Sequence, residues 1–528
     1  MFLIMSGAFV GQELESEFGK IPPSFLPLGN KRLYQYQIAL APKGEEIYIS
    51  IPETFNISIT DETWLEKNNV NIIKTPNSLS LGASLVASLN ISGNTLNKPL
   101  HVLFGDTLFR SLPIVGENVV GISYTKDYYN WAVVTNDNIQ WLKDNPLEPS
   151  NARHRIIDGY FKFNDPRELI KSITQSEWQF LEGLNKYHNT IGITPIESDN
   201  WLDFGHVNTY YRSKAQYTTQ RAFNELLITP DWIEKSSSKS NKIAAEAFWF
   251  ENIPSELRGF IPQYLGSKYE NDTISYRLEF LHLTALNELY VFSKLPSKAW
   301  EQILTSCMNF LVACNNNKAS DCSSSNTLSI LLKEKTIERL NDYCQNKNIS
   351  LDKKWSLNGD EGFSLTQILE SINMYVPSNP KENTVLHGDF CFSNILYDFR
   401  AGKIKTIDPR GLTPSNEQTI YGDLRYDLAK LSHSVLGLYD WIIAGYYDVT
   451  INDGDISFDI AEEEHHKGTQ QIFIKIVEDT FGLTAKELYA MQIHLFLSML
   501  PLHSDDIERQ KALFANAFRL HQIFLRLK

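Results

Sequence analysis

Cysteine is scarce. The five in this chain, Cys307, Cys314, Cys322, Cys344 and Cys391, are odd in number and never spaced as CxxC. That argues against a disulfide framework or a zinc site and fits reduced thiols in a cytoplasm. Long hydrophobic runs are missing too. No stretch approaches the roughly eighteen apolar residues of a membrane span. The apolar opening MFLIMSGAFVG has no basic segment before it, so it reads as a buried first strand of a cytoplasmic protein. Positive charge is in deficit, with 49 Lys and Arg against 63 Asp and Glu, a net of −14. A mean field of that sign opposes general binding to nucleic acid or to an anionic bilayer. No internal repeat of fixed period occurs.

What is present is length and pattern. At 528 residues the chain exceeds what one hydrophobic core supports, which implies two or three domains. Residues 1–215 alternate short apolar runs (MFLIMSGAFV, EEIYISI, NVNIIKT, PLHVLFGD, NVVGISYT) with segments of helical spacing (SLSLGASLVASL, PRELIKSITQSEWQFLEGL). That order predicts an α/β domain on a mostly parallel sheet. From Ala222 the rhythm changes. FNELLIT and DWIEKSS read as paired strands, NKIAAEAFWFENI as a helix and TISYRLEFL as another strand, so residues 222–284 form a small α+β unit. Residues 285–528 read as mainly helical, interrupted by a polar loop at 315–326. In AEEEHHKG, His465 and His466 point different ways on a helix and read as solvated surface.

The chemistry concentrates in residues 385–411, VLHGDFCFSNILYDFRAGKIKTIDPRG. Carboxylates and amides among Val, Leu and Ile are costly to desolvate unless hydrogen bonds, a metal ion or a phosphorylated ligand satisfies them. Asp389 and Asn394 are five apart, and Asp408 follows fourteen later at the end of strand-like IKTID. Phosphoryl transfer from a nucleotide asks for one carboxylate to orient and deprotonate the acceptor hydroxyl and for two oxygen ligands to hold Mg²⁺. These three residues supply that set. Loop capping by Asp and Asn is the plainer alternative, and His387 reads as a structural histidine of the loop.

HGDFCFSN, KTIDPRG and YGDLRYDLAKL, in that order, resemble the aminoglycoside phosphotransferase and choline kinase group, whose pattern is HGDxxxxN, a hydrophobic strand ending in Asp, then GDxxxDLA. The resemblance implies a two-lobed protein-kinase-like domain, with an α+β N-lobe at 222–284 and a mainly helical C-lobe at 285–528. It makes Asp389 the catalytic base, Asn394 and Asp408 the Mg²⁺ ligands, and Asp427 a structural partner of the catalytic loop. It also implies a lysine–glutamate pair holding the phosphates of ATP, which Lys235 and Glu246 fit, and a hinge facing the adenine that includes Glu279 and Leu281.

The first half carries a second resemblance. PPSFLPLGNKRLYQYQI and HVLFGDTLF are similar to segments of the sugar-phosphate nucleotidyltransferases, which implies a Rossmann-like sheet domain at 1–215. An Asp at the carboxyl end of a parallel strand faces the crevice where open α/β sheets bind ligands. Asp106 is so placed, and the resemblance makes Asp106 and Asp203 a pair of metal-binding carboxylates. The Gly-rich loop of that family corresponds to SGAFVGQELESEFGK, which keeps Gly7 and Gly11 but has no Arg after them and carries Glu13, Glu15 and Glu17. In WLDFGHVNTYYRSK, Arg212 and Lys214 are candidate phosphate contacts, while Trp201, Tyr210 and Tyr211 read equally as packing.

Together the two resemblances imply a bifunctional capsule-biosynthesis type of enzyme. One half phosphorylates a sugar, polyol or amino alcohol with ATP and Mg²⁺. The other couples the product to a nucleotide from CTP, UTP or GTP. Two alternatives stand beside it: a kinase whose first domain is a degenerate binding module, and an antibiotic-type phosphotransferase.

Overall fold

The computed structural model describes the chain apart from residues 126–128, 130, 136–140, 145–153, 199–200, 218–224, 230, 238–239, 271–272, 321–326, 380, 461–463 and 528. Two compact units emerge, Met1–Tyr217 and Thr218–Lys528. Cys322, Lys239 and part of the 315–326 loop lie outside the described residues.

The first unit is built on a nine-stranded sheet. Strand Phe2–Met5, whose four residues are all buried, lies at its centre. It pairs in parallel with Ile47–Pro52 on one side and Leu100–Phe104 on the other, and Ile47–Pro52 pairs in parallel with Val70–Thr75. Strands buried on both faces read as continuous apolar runs, which is why these segments stand out in the sequence. Helix Leu81–Ile91, capped by Ser80 Oγ, packs Leu85, Val86 and Leu89 into the core beneath them.

Beyond Leu100–Phe104 the sheet is mixed rather than mostly parallel. His154–Phe163 enters antiparallel to Leu100–Phe104 and to Val119–Thr125. Apolar runs carry no sign of direction, so pattern alone could not reveal the reversal. His154–Phe163 shifts register between Ile157 and Phe161, around Gly159 at φ +92°. The segment PRELIKSITQSEWQFLEGL is two helices, Pro166–Gln175 and Phe180–Thr190. They are separated where Glu177 and Trp178 both take positive φ.

The second unit opens with an antiparallel four-stranded sheet containing Glu225–Ile228, Trp232–Ser237, Thr273–Glu279 and Tyr264–Glu270 in that spatial order. The last of these strands was not foreseen; its YLGSKYE faces solvent for most of its length. Helix Ser240–Asn252 lays Phe250 against Tyr276 of the sheet, ring centroids 5.7 Å apart. Its Trp249 donates Nε1–H to the Leu386 carbonyl at 2.8 Å, tying the helix to the segment that leads into HGD.

The remainder is mainly helical, with Ser297–Asn316, Lys335–Lys347, Arg425–Val435, Glu464–Phe481, Ala485–Met499 and Ile507–Arg526 as its longer elements. It also holds a hairpin, Tyr447–Asn452 with Asp455–Ile460. His466 is not surface: it is buried, with Nε2 3.3 Å from the Tyr290 carbonyl and its ring edge-on to Trp441. The side chain of His465 lies outside the described residues.

Candidate active sites

A short hairpin explains how residues fourteen apart come together. Ile395–Asp398 pairs antiparallel with Lys403–Thr406, Ile395 opposite Thr406. Asn394 therefore precedes one strand and Asp408 follows the other, and Ile407 N–H donates to the Asn394 carbonyl at 3.0 Å. The turn is closed by Asp398 Oδ1, which accepts from the N–H groups of Arg400 and Ala401.

The loop before this hairpin is held from below. Both Asp427 oxygens accept backbone N–H groups, Oδ2 from His387 and Oδ1 from Gly388, each at 2.8 Å. Burial pushes the Asp427 carboxyl up to about 7, against the pull of those two donors. Gly388 sits at φ +79°, and a Cβ there would come 2.7 Å from Arg410 Cβ. His387 is fully buried, and its Nδ1 accepts from Asp389 N–H at 3.3 Å. Burial lowers its pKa to about 4, so it stays neutral and structural.

The Asp389 carboxylate is fixed at both oxygens. Asn394 Nδ2 donates to Oδ2 at 3.0 Å and to the Asp389 carbonyl at 2.9 Å, and Lys430 Nζ lies 2.8 Å from Oδ1. Burial alone would raise this carboxyl, but the Lys430 charge and hydrogen bond outweigh it and hold it below the ordinary range. The side chain is still 43% exposed, so it can meet a substrate.

Lys235, on strand Trp232–Ser237, places Nζ 2.5 Å from Glu246 Oε2 and 3.2 Å from Asp408 Oδ1. Tyr276, paired with Lys235 across the sheet, donates its hydroxyl to the same Glu246 oxygen at 2.8 Å. Burial raises the Glu246 pKa, and the Asp408 charge adds to it; Lys235 works the other way. Asp408 adopts φ +57°, a conformation disfavoured for a residue with a side chain. Next to it, Gly411 at φ +64° would drive a Cβ to 2.1 Å from the Ala245 carbonyl. Gly411→Ala is therefore expected to destabilise the protein by roughly 2–4 kcal/mol, from strain and overpacking together. Urea denaturation checks this; an unchanged midpoint would show that the contact relaxes freely.

Five predicted residues of the second unit thus assemble: Lys235, Glu246, Asp389, Asn394 and Asp408. Asp427 supports them. Glu279 and Leu281, the expected hinge, lie at and just beyond the end of a strand of the same sheet as Lys235. Glu279 ends strand Thr273–Glu279 with its carboxylate accepting from Gln263 N–H at 3.2 Å, and Leu281 is half-buried in the extended segment 280–283 that follows. Lys430 and Tyr276 were missed. Lys430 lies in DLAKL three residues after Asp427, on the same helical face, and that spacing was the available signal.

In the first unit, strand Trp201–Asp203 pairs antiparallel with Thr107–Phe109, Asp203 opposite Thr107. This sets Asp203 beside Asp106. A Cβ on Gly205 would fall 2.8 Å from Asp106 Oδ2 and 3.3 Å from Asp203 Oδ1. Burial and then the neighbouring Asp106 charge push Asp203 up to about 7, and burial raises Asp106 as well. Asp203 Oδ2 is buried without a hydrogen-bond partner. Two adjacent carboxylates with an orphaned oxygen need a proton or a cation between them, so the donor set fits a divalent metal. Both line an open cleft of about 880 Å³ with Thr107, Asp158, Trp131 and Trp178.

Of the remaining candidates, Gly7 is needed for close approach, because a Cβ would lie 2.6 Å from Thr75 Oγ1. Gly11 precedes helix Gln12–Phe18 with open space around it. Arg212 is exposed and close enough to lower the Asp203 pKa, whereas Lys214 Nζ lies over the Tyr210 ring at 5.7 Å. Tyr210 and Tyr211 are buried packing; their hydroxyls donate to the Pro27 carbonyl at 2.7 Å and to Glu17 respectively.

No family model and no curated protein matches the chain. Solved structures similar to it are of two kinds. The nucleoside-diphosphate-sugar pyrophosphorylase of Vibrio cholerae RC9 is 12% identical over 40% of this chain and 99% of its own, with a TM-score of 0.34. The UTP-bound UGPase of Acinetobacter baumannii is 13% identical over 41% and 92%, with a TM-score of 0.31. The aminoglycoside phosphotransferase APH(4)-Ia is 12% identical over 61% and 97%, with a TM-score of 0.36. The chain is thus similar to both nucleotidyltransferase and aminoglycoside phosphotransferase structures.

Proposed function

We propose that the second unit is a small-metabolite kinase transferring phosphate from ATP to a hydroxyl, and that the first is a nucleotidyltransferase acting on the product to make an activated precursor of a surface polysaccharide. The observation that carries the kinase reading is the convergence of Lys235, Glu246 and Asp408 on one side of the hairpin with Asp389 and Asn394 on the other.

In this reading Asp389 accepts the acceptor's hydroxyl proton. Asn394 commits its amide hydrogens to Asp389, which leaves its carbonyl oxygen, in only a 3.4 Å contact with Ser393 Oγ, as a ligand. Asp408 supplies the second oxygen. Bound there, Mg²⁺ would neutralise charge on the nucleotide phosphates. Lys235, kept charged and aimed by Glu246, binds the same phosphates. Asp408→Ala should raise the Mg²⁺ concentration needed for half-maximal ADP formation by about ten-fold or more; coincident Mg²⁺ titrations would remove Asp408 from the metal site.

For the first unit, the paired carboxylates favour catalysis. A specific observation favours a degenerate binding module instead: helix Gln12–Phe18 begins with Glu13 and Glu15, negative charge beside the loop where a triphosphate would lie. Mass spectrometry of products decides, with full-length protein, Mg²⁺, mixed NTPs and a panel of sugars, polyols and amino alcohols. A gain of one phosphate without nucleotide addition leaves the kinase alone.

A further inference from the structure

The net charge of −14 hides a local reversal in the second unit. Helix Lys335–Lys347 follows a π-turn, Ile330–Glu334, in a continuous helical run. Such single-turn bulges recur at functional sites, where they re-aim the side chains that follow. The first two cations after this one are Lys335 and Arg339, four apart and so on one face. The helix is anchored by Thr336 Oγ1, which donates to the His494 carbonyl at 3.0 Å, and by Arg339 Nη1, 3.3 Å from the Ser498 carbonyl.

Cations of that face are close enough to Arg410, beside the catalytic loop, to feel its charge, and Lys335 feels Lys430 as well. Arg410 packs its stem against Gly388 and holds its guanidinium 5.5 Å from the Tyr426 ring. Lys430, on the same helix as Tyr426, is bonded to Asp389. Lys335 is half-buried within reach of all the others. Burial lowers its pKa to about 8, helped by the like charges of Arg410, Arg339 and Lys430.

Four cations therefore gather near Asp389, with Glu338 and Asp427 as the other carboxylates close enough to act on them. Asp389 answers Lys430, and Asp427 spends both oxygens on backbone N–H groups. Among the described residues, Lys335, Arg339 and Arg410 form no ion pair with a carboxylate, and the Lys335 ammonium has no hydrogen-bond partner. Arg410 is steadied by Tyr426 and by the charge of Asp389, but burial and like charge both work against the Lys335 and Arg339 cations. A bound anion relieves both, and guanidinium groups suit carboxylate and phosphate oxygens geometrically.

Resting on the kinase reading above, we infer that the acceptor is a hydroxylated anion, whose carboxylate or phosphate is bound by Lys335, Arg339 and Arg410 while its hydroxyl faces Asp389. The phosphates of ATP already have Lys235. The three cations come instead from the helical part of the unit, from Lys335–Lys347 and the segment after strand Lys403–Thr406. A polycationic aminoglycoside or choline would be repelled there.

Matched pairs of one carbon skeleton test this on the full-length protein: gluconate against glucitol, glucuronate against glucose, and glycerol 3-phosphate against glycerol, at constant ionic strength. Thermal stabilisation of the Mg·ADP complex is read first, then ADP formation from Mg·ATP. The expected result is that an anionic member acts where its neutral partner does not, the first two pairs reporting a carboxylate site and the third a phosphate site. Lys335→Met should then raise the half-saturating concentration of that anion by about ten-fold or more, with Lys335→Arg largely restoring it and Mg·ADP stabilisation retained in both. Neutral members matching the anions in every pair would overturn the inference. So would a Lys335→Met enzyme indistinguishable from wild type, or one altered only in its KM for ATP. Failure of the wild type to bind Mg·ADP at all would be a different failure, sinking the kinase reading and this inference with it.

Discussion

The Asp389→Asn protein is expected to bind Mg·ATP normally and to lose phosphoryl transfer by between about 10²- and 10⁴-fold, the range for removing a positioned general base. The substitution keeps the shape of a side chain whose two oxygens now accept from Asn394 Nδ2 and Lys430 Nζ. An amide cannot accept the acceptor's proton. Nor can it satisfy both neighbours, since one of its ends must present hydrogens to a donor. A modest loss of stability, about 1–2 kcal/mol, should accompany the loss of rate. Single-turnover measurement of ADP formation, with nucleotide affinity measured separately, resolves the two effects. Unchanged turnover would show that Asp389 is not the base, whatever its surroundings.

Asp106→Ala is expected to abolish pyrophosphate release while leaving ADP formation intact. Asp106 and Asp203 press their carboxylates against the same glycine, and each makes ionisation of the other harder. Removing one leaves a single buried acid that can take up a proton, and the reason to hold a divalent cation disappears. Phosphorylation should survive because Met1–Tyr217 and Thr218–Lys528 are separate compact units, and Asp106 belongs to the first alone. Both products are measured in one reaction supplied with the kinase's own product. A wild type that releases no pyrophosphate with any NTP would identify the carboxylate pair as a relic, consistent with the acidic turn at Glu13 and Glu15.

Much of the cluster in the second unit was legible as a candidate site because its residues fall in short ordered motifs. Asp389 and Asn394 share one loop, and Asp408 ends a strand that pairs back onto the strand after Asn394. The Lys235–Glu246 pair was legible only through resemblance, since a lysine and a helical glutamate are common anywhere on a surface; burial against Tyr276 distinguishes this pair. Arg410 and Lys335 escaped notice because long-range convergence of like charges leaves no local signal; Lys430 was marked only by its helical spacing from Asp427. In the first unit the parallel strands were readable from their apolar runs, but His154–Phe163 was not read as a strand, and its antiparallel direction is decided by tertiary connection. The break at Glu177 and Trp178 was hidden for a related reason: neither residue type advertises a positive φ.

Lys235 is shared between two carboxylates, 2.5 Å from Glu246 and 3.2 Å from Asp408. In the proposed reaction this makes nucleotide capture an exchange rather than an addition. The Lys235 ammonium serves as a counter-ion of Asp408, so this carboxylate is partly neutralised and would offer little to a divalent ion bound without phosphate oxygens beside it. A nucleotide chelate brings phosphate oxygens for the lysine and a metal for the aspartate in one encounter. Each would then give up an old partner for a better one, and metal and nucleotide should enter together as one chelate, coupled through one shared side chain.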